Sequence, residues 1–281
     1  MFRTRLLSGI LLVAIALAVF IAGGSILAVV LLLISLIAYQ ELTAACKVRG
    51  EEMMSSHPVI LGLEMTLVYY AAIGLALARD ITFVYQAMVI VIAVAFLGFL
   101  FVYVFTFPKY HANQIMSAMF SFLYGPVMLS FLYLLREGFD DGIYLVWFVF
   151  LASWGSDTCA YCVGVLIGKH KMTPKLSPKK SVEGAIGGVL GAAILFTLYT
   201  HFVINVYSGI TLSLPLAAIL GAAGALVSMV GDLAASAVKR DHEIKDYGKL
   251  IPGHGGIMDR FDSVIVAAPI IFIGITMILS M

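Results

Sequence analysis

The chain has 281 residues, of which 62% are hydrophobic and only 12% charged, and its formal net charge is +1. A mean hydropathy of +1.06 excludes an ordinary soluble domain, which would be nearer half apolar and a quarter charged. Strand-type alternation is absent, which argues against a membrane β-barrel, so the expected fold class is all-α, a polytopic helical bundle in a membrane.

Apolar runs of about 20 residues, the length a bilayer-spanning helix needs, recur along the chain. They fall at 6–22, 25–45, 59–78, 81–106, 113–135, 143–167, 183–206, 212–238 and 263–281, which predicts about nine transmembrane helices. The opening Met1-Phe2-Arg3-Thr4-Arg5 also has the outline of a secretory signal, with Ala16-Leu17-Ala18 as a cleavage-like triplet. Apolar character resumes directly after Gly23-Gly24, and this favours an uncleaved first span. Residues 1–140 read as scaffold, with Glu41 and Glu64 near span ends, where a charged side chain reaches the interface. Residues 141–281 read as the catalytic region of the same membrane-embedded domain. The three cysteines, Cys46, Cys159 and Cys162, make no disulfide framework. Cys159 and Cys162 lack a second Cys/His pair and read as packing residues, not as a zinc site. Glycine-rich runs at 184–191 and 221–224 suit close helix packing, and the remaining small-residue faces leave room for a homodimer.

Threading nine spans from a cytoplasmic N-terminus puts every basic residue except Arg79 and Arg136 on the cytoplasmic side. The positive-inside rule supports that orientation. It makes the polar loops 168–182 and 239–262 cytoplasmic and directs the chemistry toward cytosolic solutes.

Charge is concentrated in those two loops. Positions 239–262 hold five Lys/Arg and five Asp/Glu. In the span before them Gly224, Ser228, Asp232, Ser236 and Lys239 share one helical face, with Asp232 roughly 10 Å from the cytoplasmic end. A carboxylate at that depth is a functional candidate by default; a structural Asp–Lys pair between helices is the alternative. Ser153, Asp157, Tyr161, Gly164 and Gly168 form a similar stripe in the sixth span. It points toward a loop with five lysines and a histidine in positions 169–181. Such a loop attracts anionic lipid head groups. Pro178, between Ser177 and Lys179-Lys180, sets an extended or turned backbone that also suits a phosphate-rich ligand. Gly164 to Lys169 falls one residue short of a P-loop and lacks its Ser/Thr.

Pro252-Gly253-His254-Gly255-Gly256 breaks the chain so that backbone N–H groups can approach a ligand. A helix starting near 257 would aim its first amides at an anion there. Asp232 and Asp259 have the oxygen chemistry of a magnesium site shared with substrate phosphates. Lys239, Arg240, Lys245, Lys249 and Arg260 supply positive charge. Together these are the requirements of phosphoryl or nucleotidyl transfer.

One stretch is more specific. Ser236, Val238, Lys239 and Arg240, then Lys245, Asp246, Gly248, Ile251, Pro252, His254, Gly255, Gly256, Ile257, Asp259, Arg260, Phe261 and Asp262 resemble the signature of the phosphatidate cytidylyltransferase (CDP-diacylglycerol synthase) family. Ser177-Pro178-Lys179-Lys180-Ser181-Val182-Glu183-Gly184 resembles its S-P-K-K-T-x-E-G, with serine for threonine. Asp157-Thr158-Cys159-Ala160-Tyr161 resembles its D-T-G-A-Y, with Cys159 where glycine is usual. The resemblance implies condensation of CTP with phosphatidate to CDP-diacylglycerol and pyrophosphate, by metal-assisted attack of the lipid phosphate on the α-phosphorus. Asp232 and Asp259 would hold Mg2+, with room for a second, monovalent cation. Lys239, Arg240, Lys245 and Arg260 would surround the phosphates, and Ser177, Lys179 and Lys180 would bind a substrate phosphate. Asp157, Tyr161, Ser236, Gly255 and Gly256 are further substrate-binding candidates. His254 would orient a phosphate or donate a proton; Asp246 and Asp262 would be ligands or would fix basic side chains. The expected location is a bacterial-type cytoplasmic membrane, with membrane lipid as partner and no nucleic acid. A CTP-dependent membrane lipid kinase and an ion-coupled transporter are the rival readings.

Overall fold

The computed structural model describes residues 2–48, 56–251 and 255–280, and for 2–8 and 10–12 the backbone alone. The described residues form α1 (Phe2–Ala22), α2 (Gly24–Ala45), α3 (His57–Leu77), α4 (Ile81–Phe105), α5 (Ala112–Glu137), α6 (Gly142–Ile167), α7 (Val182–Tyr207), α8 (Leu214–Asp241) and α9 (Met258–Leu279). Eight of these, α2 to α9, are 21–28 residues long and apolar enough to cross a membrane. The first expected run lies in α1, whose described apolar stretch is Val13–Ala22. In lipid a helix satisfies its own backbone groups, so apolar runs of this length fold as helices. The protein is an integral membrane protein.

Two local features depart from the expectation. Helices α5, α6 and α7 each contain a π turn, at Leu123–Val127, Leu151–Gly155 and Thr200–Ile204. The second turn ends just before Asp157 and locally changes the 100° phase on which the sixth-span stripe rests. Ser153 is buried, whereas Asp157 and Tyr161 are exposed. The lysine-rich segment, expected as a loop, is a hairpin of β1 (Lys171–Thr173) and β2 (Ser177–Ser181). The strands are antiparallel, with Lys171 opposite Ser181 and Thr173 opposite Ser177. Pro178 is compatible with a strand here because a two-stranded hairpin is all edge.

The described chain divides into two compact units, with boundaries inside α5, at the end of α8 and inside α9. The first comprises Met1–Tyr133 with His242–Asp259. Its core is pinned by buried hydroxyls: Tyr39 donates to the Pro58 carbonyl at 3.0 Å, and Ser35 Oγ meets Tyr70 Oη at 2.7 Å. Gly62 packs against the Tyr39 ring, where a Cβ would overlap it.

The second unit comprises Leu134–Asp241 with Arg260–Met281. Phe148 and Phe196 pack with ring centroids 4.6 Å apart. As the glycine runs predict, α7 and α8 approach neighbours at glycines. A Cβ on Gly221 would meet Phe196 and the Ala192 carbonyl, and one on Gly187 would meet Val163.

Candidate active site

In the second unit three carboxylates and two lysines come together from four elements. Asp232, on α8, carries one oxygen 2.6 Å from Lys180 Nζ of β2. The ammonium is sealed from solvent and lacks aligned hydrogen-bond geometry, so the contact is primarily coulombic. Ser236, one turn on, donates a long 3.5 Å bond to Asp232 Oδ1. Asp157 of α6 interacts electrostatically with Asp232 and Lys180. Asp262 of α9 does so with Asp232, Lys239 and Asp157. Gly231 makes the close approach possible, because a Cβ there would lie 2.7 Å from the Asp262 carbonyl oxygen.

The hairpin reaches this cluster because it is fastened to α7. Glu183 accepts backbone N–H bonds from Lys169 and His170, and its carboxylate lies 2.6 Å from His170 Nδ1. Ser181 caps α7, its Oγ accepting from Gly184 N at 3.1 Å. Gly164, Gly168 and Gly184 crowd that hydroxyl, so a Cβ on any of them would meet it. Lys180 is consequently directed at Asp232, while Lys179 is exposed and Ser177 half-buried. Arg240 and Arg260 are also exposed. Tyr161 is 73% exposed and is not among the groups gathered around Asp232.

The rest of the expected site lies in the first unit. Lys245, Asp246 and Lys249 are exposed there. Asp259 Oδ2 accepts from Tyr247 N at 2.8 Å and Gly256 N at 2.9 Å, closing a turn that also pairs Ile251 N with the Gly255 carbonyl. Gly255 has φ +85°, a left-handed conformation that favours glycine. His254 lies outside the described residues.

The first amides of α9 were expected to face an anion. They face a carboxylate of the protein itself. Glu41 of α2 accepts from Ile257 N at 3.1 Å through Oε1 and from Met258 N at 2.8 Å through Oε2. Glu41 stands one turn before the end of α2, as its place near a span end implies, but its partners are amides of α9. The available signal was a lone carboxylate in an apolar helix, which is a functional candidate by default.

A sequence profile described as the Cytidylyltransferase family matches residues 3–278. The chain belongs to the cytidylyltransferase family. It is 31% identical over 279 residues to a protein of Haemophilus influenzae named phosphatidate cytidylyltransferase, covering 96% of each chain. A protein of the same name from Staphylococcus epidermidis is 32% identical over 272 residues, covering 96% of this chain and 97% of that one. The profile of the cytidylyltransferase family spans every residue of both clusters, Glu41 and Glu183 included. At Cys159, where the motif usually has glycine, the structure shows how the larger residue is accommodated. Its Sγ packs against Gly191 of α7, which has no side chain to displace.

Three carboxylates against two ammoniums leave a negative excess suited to a hard cation. No three of the described His, Cys, Asp or Glu side chains form a ready-made metal cage. Magnesium commonly binds through one or two carboxylates plus substrate phosphates, and Asp232 fits such a role.

Proposed function

We propose that the protein condenses CTP with phosphatidate, yielding CDP-diacylglycerol and pyrophosphate, and thereby serves phospholipid biosynthesis. The observation that carries this reading is the match over residues 3–278 to the cytidylyltransferase family, shared with relatives named phosphatidate cytidylyltransferase. The acid–base cluster around Asp232 supports it chemically. A phosphate monoester is largely dianionic at neutral pH, its second pKa lying near 6, so its oxygen needs no general base. That oxygen forms a bond to the α-phosphorus of CTP while the bond to the oxygen bridging the β-phosphorus breaks. The main obstacle is bringing two polyanions together. Lys180 and Lys239 are assigned to substrate phosphates, with Ser177, Lys179, Arg240, Lys245 and Arg260 as further contacts.

Magnesium is the proposed cofactor, with Asp232 and Asp259 each assigned as a protein ligand. Bound there, it would neutralise phosphate charge. Supporting this is the carboxylate chemistry of both residues; Asp259 is in addition oriented by two backbone amides, the kind of outer hydrogen bonding that commonly fixes ligating carboxylates. The proposed location is the cytoplasmic membrane, with loops 168–182 and 239–262 facing the cytoplasm, on the strength of the basic-residue distribution.

The test uses purified enzyme, phosphatidate and CTP labelled separately at the α and γ phosphorus. Label from the α position should enter the lipid and label from γ should leave as pyrophosphate. Transfer of γ label to a lipid alcohol would make the protein a kinase. Incorporation of neither label would reject group transfer from CTP and favour the transporter reading.

A further inference from the structure

We infer that Glu41, remote in sequence from both polar loops, is a positioning residue for the cytidylyl-transfer reaction, holding the backbone at Gly248 and at Gly255–Asp259 in its working shape. The inference rests on the reading given under Proposed function.

The geometry is specific to a carboxylate at this position. Glu41 projects from α2 one turn before its end, half-buried, and spends both oxygens on the amides that open α9, those of Ile257 and Met258. Two glycines of the same segment are shaped around it. A Cβ on Gly248 or on Gly256 would run into the Glu41 carboxylate. From the other side, Asp259 holds the amides of Tyr247 and Gly256. Two acids thus fix four backbone amides at 247 and 256–258, and the backbone between Gly255 and Asp259 has little freedom left.

A half-buried carboxylate is costly to keep unless its oxygens are hydrogen-bonded, and here the α9 amides supply both partners. Glu41 also lies within electrostatic reach of Asp259, an arrangement a neutral side chain would avoid. Its contacts in this segment are to backbone, so its effect on chemistry passes through the position of Asp259. Misplacing a catalytic group by about 1 Å costs roughly a hundredfold in rate. The basic side chains that would attract CTP are on other residues, so the loss should appear in kcat more than in KM.

The experiment compares wild type with Glu41→Gln, Gly248→Ala, Glu41→Ala and the Glu41→Ala/Gly248→Ala pair. All are purified in detergent, checked for monodispersity and thermal stability, and assayed for CDP-lipid formation. Glu41→Gln keeps the shape of the side chain but loses its charge and turns one acceptor into a donor facing a backbone N–H. It should lower kcat about a hundredfold while KM for CTP moves less than about threefold and the melting temperature stays near wild type. Gly248→Ala, which leaves Glu41 in place and pushes a methyl group against it, should show the same kcat defect. Removing the carboxylate as well should make the pair no worse than Glu41→Ala alone, as for residues that act as a unit.

A folded Glu41→Gln enzyme with near wild-type kcat would overturn the inference. So would independent, multiplying losses in the pair, or losses of activity that only track losses of folded protein. If Glu41→Gln does not survive purification, Gly248→Ala decides by the same kcat criterion. A folded wild type that forms no CDP-lipid would defeat the underlying functional reading instead.

Discussion

Neutralising Lys180 should be far more damaging than neutralising Lys179, although the two are adjacent and carry the same charge. Lys180 Nζ stands 2.6 Å from Asp232 Oδ2, with the two side chains 23% and 29% exposed. Coulomb's law at that separation gives roughly 6 kcal/mol at an effective dielectric of about 20 and under 2 kcal/mol at that of water. Partial exposure, screening and the cost of desolvating both charges reduce the net value to about 2 kcal/mol. Lys180→Met should therefore lower kcat/KM by up to about 30-fold through this interaction, the full value applying where all of it acts in the transition state, and it leaves Asp232 beside Asp157 and Asp262 without its nearest counter-charge. Lys179→Met removes an exposed cation and should cost about threefold, an effect that shrinks as salt rises. Initial rates of α-label incorporation in mixed micelles, at low and high ionic strength, measure both variants. Equal losses that both disappear in salt, or on adding anionic lipid, would make the hairpin a head-group anchor and refute the assignment of Lys180.

Asp232→Asn and Asp259→Asn should each abolish magnesium-dependent turnover in protein that still inserts and purifies normally; near wild-type activity in either would remove that aspartate from the ligand set. Cys159→Gly and Cys159→Ser should retain activity within about threefold, since the residue packs against Gly191 and small substitutions in such contacts are tolerated; a loss of more than tenfold in rate assays would give the thiol a function. Cysteines placed at Lys171 or Lys249 in a cysteine-free variant should resist impermeant thiol reagents in intact cells and react after lysis. Labelling of both before lysis would reverse the proposed orientation.

The membrane helices were legible because lipid imposes one rule, a long apolar run, and nearly every residue of a span contributes to it. The clustering of charge near Asp232 and in 239–262 was legible for the converse reason, since charge in such a chain is rare enough to mark a task. Three things were not. The π turn at Leu151–Gly155 has no distinctive composition, so the phase of Asp157 relative to Ser153 could not be obtained from a wheel of 100° per residue. The hairpin is only three and five residues a side, and it is tied down by Glu183, outside the strands, and by the bond from the last strand residue, Ser181, to α7. Glu41 meets residues 216 and 217 positions away, a separation over which local pattern carries no information. Gly256 was visible as part of a chain-breaking run, but what it and Gly248 make room for was not.

The fastening of β2 to α7 also makes the lysine pair a matter of counting from one end. Ser181 is anchored as the cap of α7, and the hairpin's two pairings are separated by a register irregularity, so the anchor and not a strict two-residue alternation sets each position. Counted back from that anchor, the first residue meets Asp232 and the second is exposed. Lengthening the turn at 174–176 leaves this count alone, so the hairpin tip is free to vary in size and sequence. One residue inserted between Lys180 and Ser181 would exchange the two positions, sending Lys180 outward and presenting the newcomer to Asp232 without altering the composition of the Lys179-Lys180 pair. The tip can drift, but the spacing from lysine to cap cannot.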